Sequence, residues 1–273
     1  MLNETDFAFI AREVKARVGV VLRPELAPLA AQRLGAVGRR EGFTGADEFI
    51  VAARARGEER LWSAITDALV QSETRFFRDR ELFAQLRDDT LPKLVRDGAP
   101  LRIWCAGVAS GQEAYSLTML AEEWRSEGGG ACTIVASDLS ERLLEKARSG
   151  LYTQFEIQRG LPIRQLIAHF EKSGDLWRIA DRHRGAVRFE QHNLLHSAEA
   201  LPALAGGPFD LVLCRNVLST MDEAQRAGVL ERISAVCAPQ GVLVLGKGEN
   251  LPAGYGGFAA LGETFVRAEM AAA

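Results

Sequence analysis

The run Leu101-Arg-Ile-Trp-Cys-Ala-Gly107-Val-Ala-Ser110-Gly111-Gln-Glu113 constrains the fold most, because an apolar strand pattern passes through close-set glycines straight into a helical pattern. Glycine allows positive φ and close backbone approach, so such a turn opens a nucleotide-sized pocket at a strand end. Some 27 residues past Gly111, the apolar run Thr133-Ile-Val-Ala-Ser137 ends in Asp138, where a carboxylate can accept from the two hydroxyls of a ribose. Together these imply an adenosine-containing cofactor. The glycine spacing is not the G-x-G-x-x-G that cradles a pyrophosphate. S-adenosylmethionine, which has no pyrophosphate, therefore fits better than a dinucleotide. An ordinary strand-to-helix turn is the plainer alternative.

Up to about residue 95 the apolar spacing is helical: Phe7, Ile10, Val14 and Val18 form one stripe, and Leu29, Leu34 and Val37 another. Pro28 suits only a first turn, which sets a helix start near Ala27. Further helices are expected at 46–56 and 58–71, before Gln71-Ser72-Glu-Thr74-Arg-Phe-Phe-Arg78-Asp79 interrupts the pattern. From Leu101, strands are predicted at 101–105, 132–136, 209–214, 241–246 and near 264–268, with helices at 112–126, 140–148 and 222–237. The alternation predicts an α/β fold, a doubly wound, mostly parallel sheet covered on both faces. An insertion at about 151–192 holds two alternating runs, Asp175–Ile179 and Ala186–Glu190, expected to form a small antiparallel flap; the Gly/Pro-rich patch 250–258 reads as a loop. The expected domains are 1–80, helical with an interdomain segment, and 81–273, which binds the cofactor and carries the insertion.

Charge and cysteine usage narrow the function. The net charge is -3, which argues against whole-molecule attraction to nucleic acid or anionic membrane. No apolar stretch reaches the roughly 18 residues of a membrane span and no leader pattern opens the chain. The four cysteines read as reduced core thiols with no C-x-x-C zinc spacing, so a cytoplasmic protein is expected. His192 and His196 are four apart, but Asn193-Leu194 lies between them at a strand end and no third ligand is evident, so no metal is expected. Residues 11–40 carry seven basic side chains against two acidic ones.

Asp138 ends the second predicted strand, Asn193-Leu194 follows the flap and Arg215-Asn216 ends the next strand, and in a doubly wound sheet these fall at the carboxyl edge of neighbouring strands, where ligands bind. The residues resemble the chemotaxis receptor glutamate O-methyltransferases of the CheR type. The likeness runs over nearly the whole chain and rests on Thr74-Arg-Phe-Phe-Arg78-Asp, Gly111-Gln-Glu-Ala-Tyr-Ser116, Ala136-Ser-Asp138, Glu145-Lys-Ala-Arg-Ser-Gly-Leu-Tyr152, Asn193-Leu194 and Cys214-Arg-Asn-Val217. The resemblance implies a helical domain packed on a class I, Rossmann-like methyltransferase domain with an inserted β-subdomain. It implies methyl transfer from S-adenosylmethionine to glutamates on the cytoplasmic helices of chemoreceptors.

Carried over by position, Glu113 and Asp138 hold the cofactor's amino end and ribose, beside the Gly107 turn. Asn193, Leu194, Arg215 and Asn216 surround the adenosine and sulfur region. Ser72, Thr74 and Arg78 close over the methionine part, with Arg78 facing the acceptor; a surface salt bridge is its plainer reading. Two departures stand out. The family's tyrosine five positions after the motif arginine is Thr220 here, and its glycine-histidine-serine-glutamate reads Gly246-Lys247-Gly248-Glu249. Thr220 is carried as a catalytic candidate with Arg78. The departures leave open a cofactor-binding signalling paralogue of weak or no activity, or a different carboxylate acceptor. The flap is compact, so no tether to a receptor C-terminal peptide is expected. Receptor capture falls to Arg33, Arg39 and Arg40, and the protein is expected to be a monomer.

Overall fold

The computed structural model describes residues 2–70, 72–96, 98–262 and 264–268. It divides into two compact units, Met1–Gln71 with Ser219–Gln225, and Ser72–Leu218 with Arg226–Ala273.

The first unit is a helical bundle of α1 (Glu4–Val18), α2 (Ala27–Arg40), α3 (Ala46–Arg56) and α4 (Glu59–Leu69). The Asn3 side chain caps α1 by accepting from Asp6 N at 2.8 Å, and Gly19 ends it in the left-handed region. Phe7, Ile10, Val14 and Val18 are buried as their spacing predicts, as are Leu34, Phe49, Ile50, Leu61 and Ile65. Leu29, expected in the α2 stripe, is exposed: the buried face runs through Ala30, Leu34 and Gly38, and Leu29 lies about 140° from its centre. Residues 219–225 join this unit as a strap. Val21 N donates to Thr220 O at 2.8 Å, and Lys15 pairs with Asp222 at 2.6 Å.

The second unit opens with α5 (Arg80–Gln85) and α6 (Leu91–Leu94), joined by a π turn. A seven-stranded sheet follows: β1 (Leu101–Ala106), β2 (Cys132–Asp138), β6 (Val187–Gln191), β7 (Phe209–Cys214), β8 (Cys237–Leu245), β9 (Phe258–Leu261) and β10 (Thr264–Arg267). Their order is β6-β2-β1-β7-β8-β10-β9, the first five parallel, with β10 antiparallel to both β8 and β9. The crossovers carry α7 (Gln112–Ser126), α8 (Glu141–Ser149) and α12 (Glu223–Val236). This is the doubly wound, mostly parallel α/β fold that the alternation predicts, and its chain order reverses between β1 and β7.

The insertion differs from expectation. It contains β3 (Leu151–Thr153), α9 (Gln154–Gln158), α10 (Ile163–His169), β4 (Phe170–Ser173), β5 (Leu176–Ile179) and α11 (Asp181–Arg184), with β3, β5 and β4 forming a three-stranded antiparallel sheet. The run Ala186–Glu190 does not belong to it. As β6 it pairs parallel with β2, Ile134 opposite Val187 through Asp138 opposite Gln191. An edge strand with one covered face alternates like a hairpin strand, so the sequence period could not separate the two. The expected loop 250–258 likewise ends early, because Phe258 is buried and starts β9.

Among the described residues no helix is long and apolar enough to cross a membrane. All four cysteines are free, three of them buried.

Within the second unit, the segment after residue 71 is anchored by a buried aromatic side chain. Phe76 is fully buried, edge-on to Tyr152 at 5.1 Å and to Phe170 at 5.4 Å between ring centroids. Next to it, Phe77 N donates to Ser116 Oγ at 2.9 Å. Phe76→Ala is expected to lower unfolding free energy by about 3–5 kcal/mol in urea titration, and Phe77→Ala, only half-buried, by less.

Candidate functional site

Five parallel strands end side by side, and each delivers polar groups to one edge of the sheet. Asn193 follows β6, Asp138 ends β2, Gly107 follows β1, Arg215 and Asn216 follow β7, and Gly246 follows β8. The order reverses between β1 and β7, so the chain leaves these two strands in opposite directions and opens a crevice above them.

The β1 turn is built around glycine. Gly107 has φ +81, and a Cβ there would lie 2.5 Å from Val217 Cγ2. Gly107 N and Val108 N both donate to Ser137 O, at 2.8 and 2.9 Å, which lays the turn across the end of β2. Asp138 Oδ2 then accepts from Ala109 N at 2.7 Å and Oδ1 from Ser140 N at 3.0 Å. On its other side Asp138 O accepts from His192 N at 3.0 Å, and Asn193 closes a short turn by accepting from Leu195 N at 3.0 Å. Gly107, Asp138, Asn193 and the half-buried Leu194 are thus neighbours at one strand-end rim.

The other half of the site turns on Arg215. Its side chain is 1% exposed and lies between two carboxylates, donating from Nη1 to Glu113 Oε2 at 2.6 Å and from Nη2 to Asp79 Oδ2. Glu113 stands in the first turn of α7, where the helix N-terminus favours a negative charge. Burial pushes its carboxyl above the usual range; Arg215 and, at longer reach, Arg78 oppose this. Asp79 is an αL residue whose carbonyl accepts from Leu82 N and Phe83 N at the start of α5.

Asn216 also has positive φ, and its amide donates to Glu249 Oε2 at 2.7 Å, an oxygen that also accepts from Gly246 N at 2.8 Å. A Cβ on Gly246 would meet Asn216 N at 2.7 Å and that Glu249 oxygen at 2.7 Å, so only glycine lets the β7 and β8 ends close together. Asp79 and Glu249 are structural anchors whose roles the sequence did not reveal. Both sat inside noted motifs, but which buried group each carboxylate would meet depends on the fold. Of the five non-glycine residues with positive φ among the described residues, four lie here: Phe77, Asp79, Ala109 and Asn216. Such conformations cost of order 1–3 kcal/mol each where they strain and gather at ligand sites.

Ser72 is exposed and Thr74 half-buried, on the extended stretch before Phe76. Arg78 is half-buried, donates from Nη1 to Glu73 O at 3.3 Å, and is near enough to Glu113 to lower its pKa. Thr220 belongs to the other compact unit, where it lines a cavity of about 630 Å³ together with Arg33 and Leu29. Arg39 and Arg40 are exposed at the end of α2, and Lys247 is exposed. His192 and His196 lie on a loop and not on one helix face.

Buried polar atoms at this edge, Arg215 Nε, Asn216 Oδ1 and His192 Nε2, have no hydrogen-bond partner among protein atoms. A donor and an acceptor left open beside a glycine-lined turn and a buried carboxylate suit an adenosine ligand that carries an ammonium group.

Residues 72–265 match the family described as CheR methyltransferase, SAM binding domain. The chain belongs to that family. It is 34% identical over 260 residues to chemotaxis protein methyltransferase 1 of Pseudomonas aeruginosa, covering 92% of this chain and 93% of the relative. To chemotaxis protein methyltransferase Cher2 of Pseudomonas putida it is 32% identical, over 90% of each chain. To the chemotaxis protein methyltransferase of Escherichia coli it is 29% identical, over 91% of this chain and 85% of the relative. The protein is accordingly an S-adenosylmethionine-dependent methyltransferase of the CheR type.

Arg215→Ala leaves two carboxylates without their buried partner and is expected to cost about 3–5 kcal/mol in denaturant unfolding. Glu249→Gln, which weakens two charge-assisted hydrogen bonds, is expected to cost about 1–3 kcal/mol in the same assay.

Proposed function

We propose that this CheR family member methylates glutamate side chains on the cytoplasmic helices of chemoreceptors, forming glutamyl methyl esters with S-adenosylmethionine as donor. What carries the reading is the match to proteins named as chemotaxis methyltransferases over about nine-tenths of their length and of this chain. The strand-end site supports it by presenting the groups that such a donor needs.

The donor supplies an activated methyl group on a sulfonium cation. In this reading Asp138 holds the ribose, Asn193 and Leu194 flank the adenine, and Arg215 Nε and Asn216 Oδ1 take up polar atoms of the ligand. The buried carboxylate of Glu113 holds its ammonium, while Ser72, Thr74 and Arg78 cover the methionine part.

A glutamate acceptor has a reference pKa near 4.3 and is already ionised at pH 7, so the protein needs no general base. Its task is alignment and exclusion of water, and holding reacting atoms in line can supply several kcal/mol. Arg78 steers and positions the acceptor carboxylate. A tight grip there would stabilise the ground state and slow transfer, so one partly exposed guanidinium suits the work. Arg33, Arg39 and Arg40 draw in the acidic receptor helix, without a peptide tether and with the methyltransferase as a monomer. A second reading, a cofactor-binding paralogue of low turnover, is favoured by the substitution of Thr220 for the family tyrosine.

Tritiated methyl transfer to a receptor cytoplasmic fragment tests the proposal. The expected result is base-labile methyl incorporation by the wild type, loss with Arg78→Ala, and equal or higher rate with Thr220→Tyr. A fully active Arg78→Ala protein would refute the role given to that residue. S-adenosylhomocysteine binding by calorimetry without any transfer would favour the paralogue.

Glu113→Gln is expected to weaken S-adenosylhomocysteine binding about 10–100-fold, the worth of one charge-assisted hydrogen bond. The raised Glu113 pKa gives the sign of the pH effect. Wild-type affinity falls as pH drops through that pKa, because the protonated carboxyl no longer attracts an ammonium. Calorimetry across that range should show the Glu113→Gln protein without this dependence.

A further inference from the structure

We propose that Glu122, His169 and His183 form a binding site for a divalent transition metal of the zinc class, separate from the strand-end crevice, that clamps the insertion onto α7. The three residues come from distant parts of the second unit: Glu122 from the last third of α7, His169 from the end of α10, and His183 from α11. One ligand atom from each lies within 4.8 Å of the other two.

The geometry points to a small metal. A tetrahedral zinc with bonds of about 2.0–2.1 Å separates its ligand atoms by about 3.3 Å. Here His183 Nε2 stands 2.8 Å from His169 Nδ1 and 3.1 Å from Glu122 Oε2, and His169 Nδ1 stands 3.7 Å from that oxygen. These three edges straddle the tetrahedral value, so shifts of a few tenths of an ångström complete the triangle. Two imidazoles and one carboxylate are a donor set that zinc accepts, with a fourth position left for water.

The surroundings agree. His183 is buried and His169 nearly so, which fixes both rings, while the half-exposed Glu122 can adjust. A cavity of about 270 Å³ opens beside the cluster, lined by Glu122, His183 and the half-buried Cys132, with room for a water ligand.

The position already attracts a cation. Arg182 donates from Nε to Glu122 Oε1 at 3.1 Å and from Nη2 to His169 Nδ1 at 3.0 Å, so that nitrogen presents a lone pair. Arg182 is half-exposed and can swing into solvent when a metal takes its place. It is a competitor, which gives the test a variant of opposite sign.

Chelator-stripped full-length protein is titrated with zinc chloride by calorimetry, with cobalt absorption and melting temperature as further readouts. The expected result is one zinc per chain, a tetrahedral cobalt spectrum and a raised melting temperature. Glu122→Gln and His169→Ala should weaken binding roughly tenfold or more, Arg182→Gln should tighten it, and Cys132→Ser should leave it unchanged. Glu122 and Arg182 are half-exposed, so those two variants fold whatever becomes of the buried histidine. Absence of stoichiometric zinc binding in the wild type overturns the proposal. So does unchanged binding in Glu122→Gln and His169→Ala, or loss in Cys132→Ser alone.

Discussion

The second unit depends on one buried cation. Arg215 is almost without solvent, and the full cost of desolvating a guanidinium is several kcal/mol unless its protons find acceptors. Two carboxylates from different elements meet it, Asp79 before α5 and Glu113 in the first turn of α7. Satisfying Arg215 therefore fixes the segment before α5, the start of α7 and the end of β7 together. The arrangement leaves Nε without a protein partner. It also explains why Glu113 is a poorly solvated carboxylate whose ionised form gains from a further positive charge.

Backbone geometry repeats the same economy. Phe77, Asp79, Ala109 and Asn216 hold positive φ because Phe76 packing, the Ser137 carbonyl and the Glu249 carboxylate over-determine the loops around them. Each of these loops leaves a strand or enters a helix at the crevice. The loops around the crevice thus form a preorganised shell. Arg78, proposed to face the acceptor, is half-buried.

Much of this was legible in the residues. The apolar runs of β1, β2 and β7 are long enough and buried enough on both faces to read as central parallel strands, and glycine followed by a helical pattern marked the crevice. Gly107, Glu113, Asp138 and Arg215 could be placed at one edge from sequence because each follows a strand or opens a helix, and a parallel sheet collects such positions there. The strand β6 was misplaced because an edge strand carries the same alternation as a flap strand. Asp79 and Glu249 were not singled out because a carboxylate that anchors a loop has no local signature; its partner lies 136 residues away in one case and 33 in the other. The Glu122, His169 and His183 cluster escaped for the same reason, since only the folded insertion brings α7, α10 and α11 together.

The most direct test of the central claim is a crystal structure of the protein with S-adenosylhomocysteine. The account predicts the ligand above the ends of β1 and β7, its ribose on Asp138, and Arg215 Nε or Asn216 Oδ1 within hydrogen-bond distance of it. A ligand bound elsewhere, or one that leaves both atoms without a partner while Glu113 keeps Arg215 as its only cation, would contradict it.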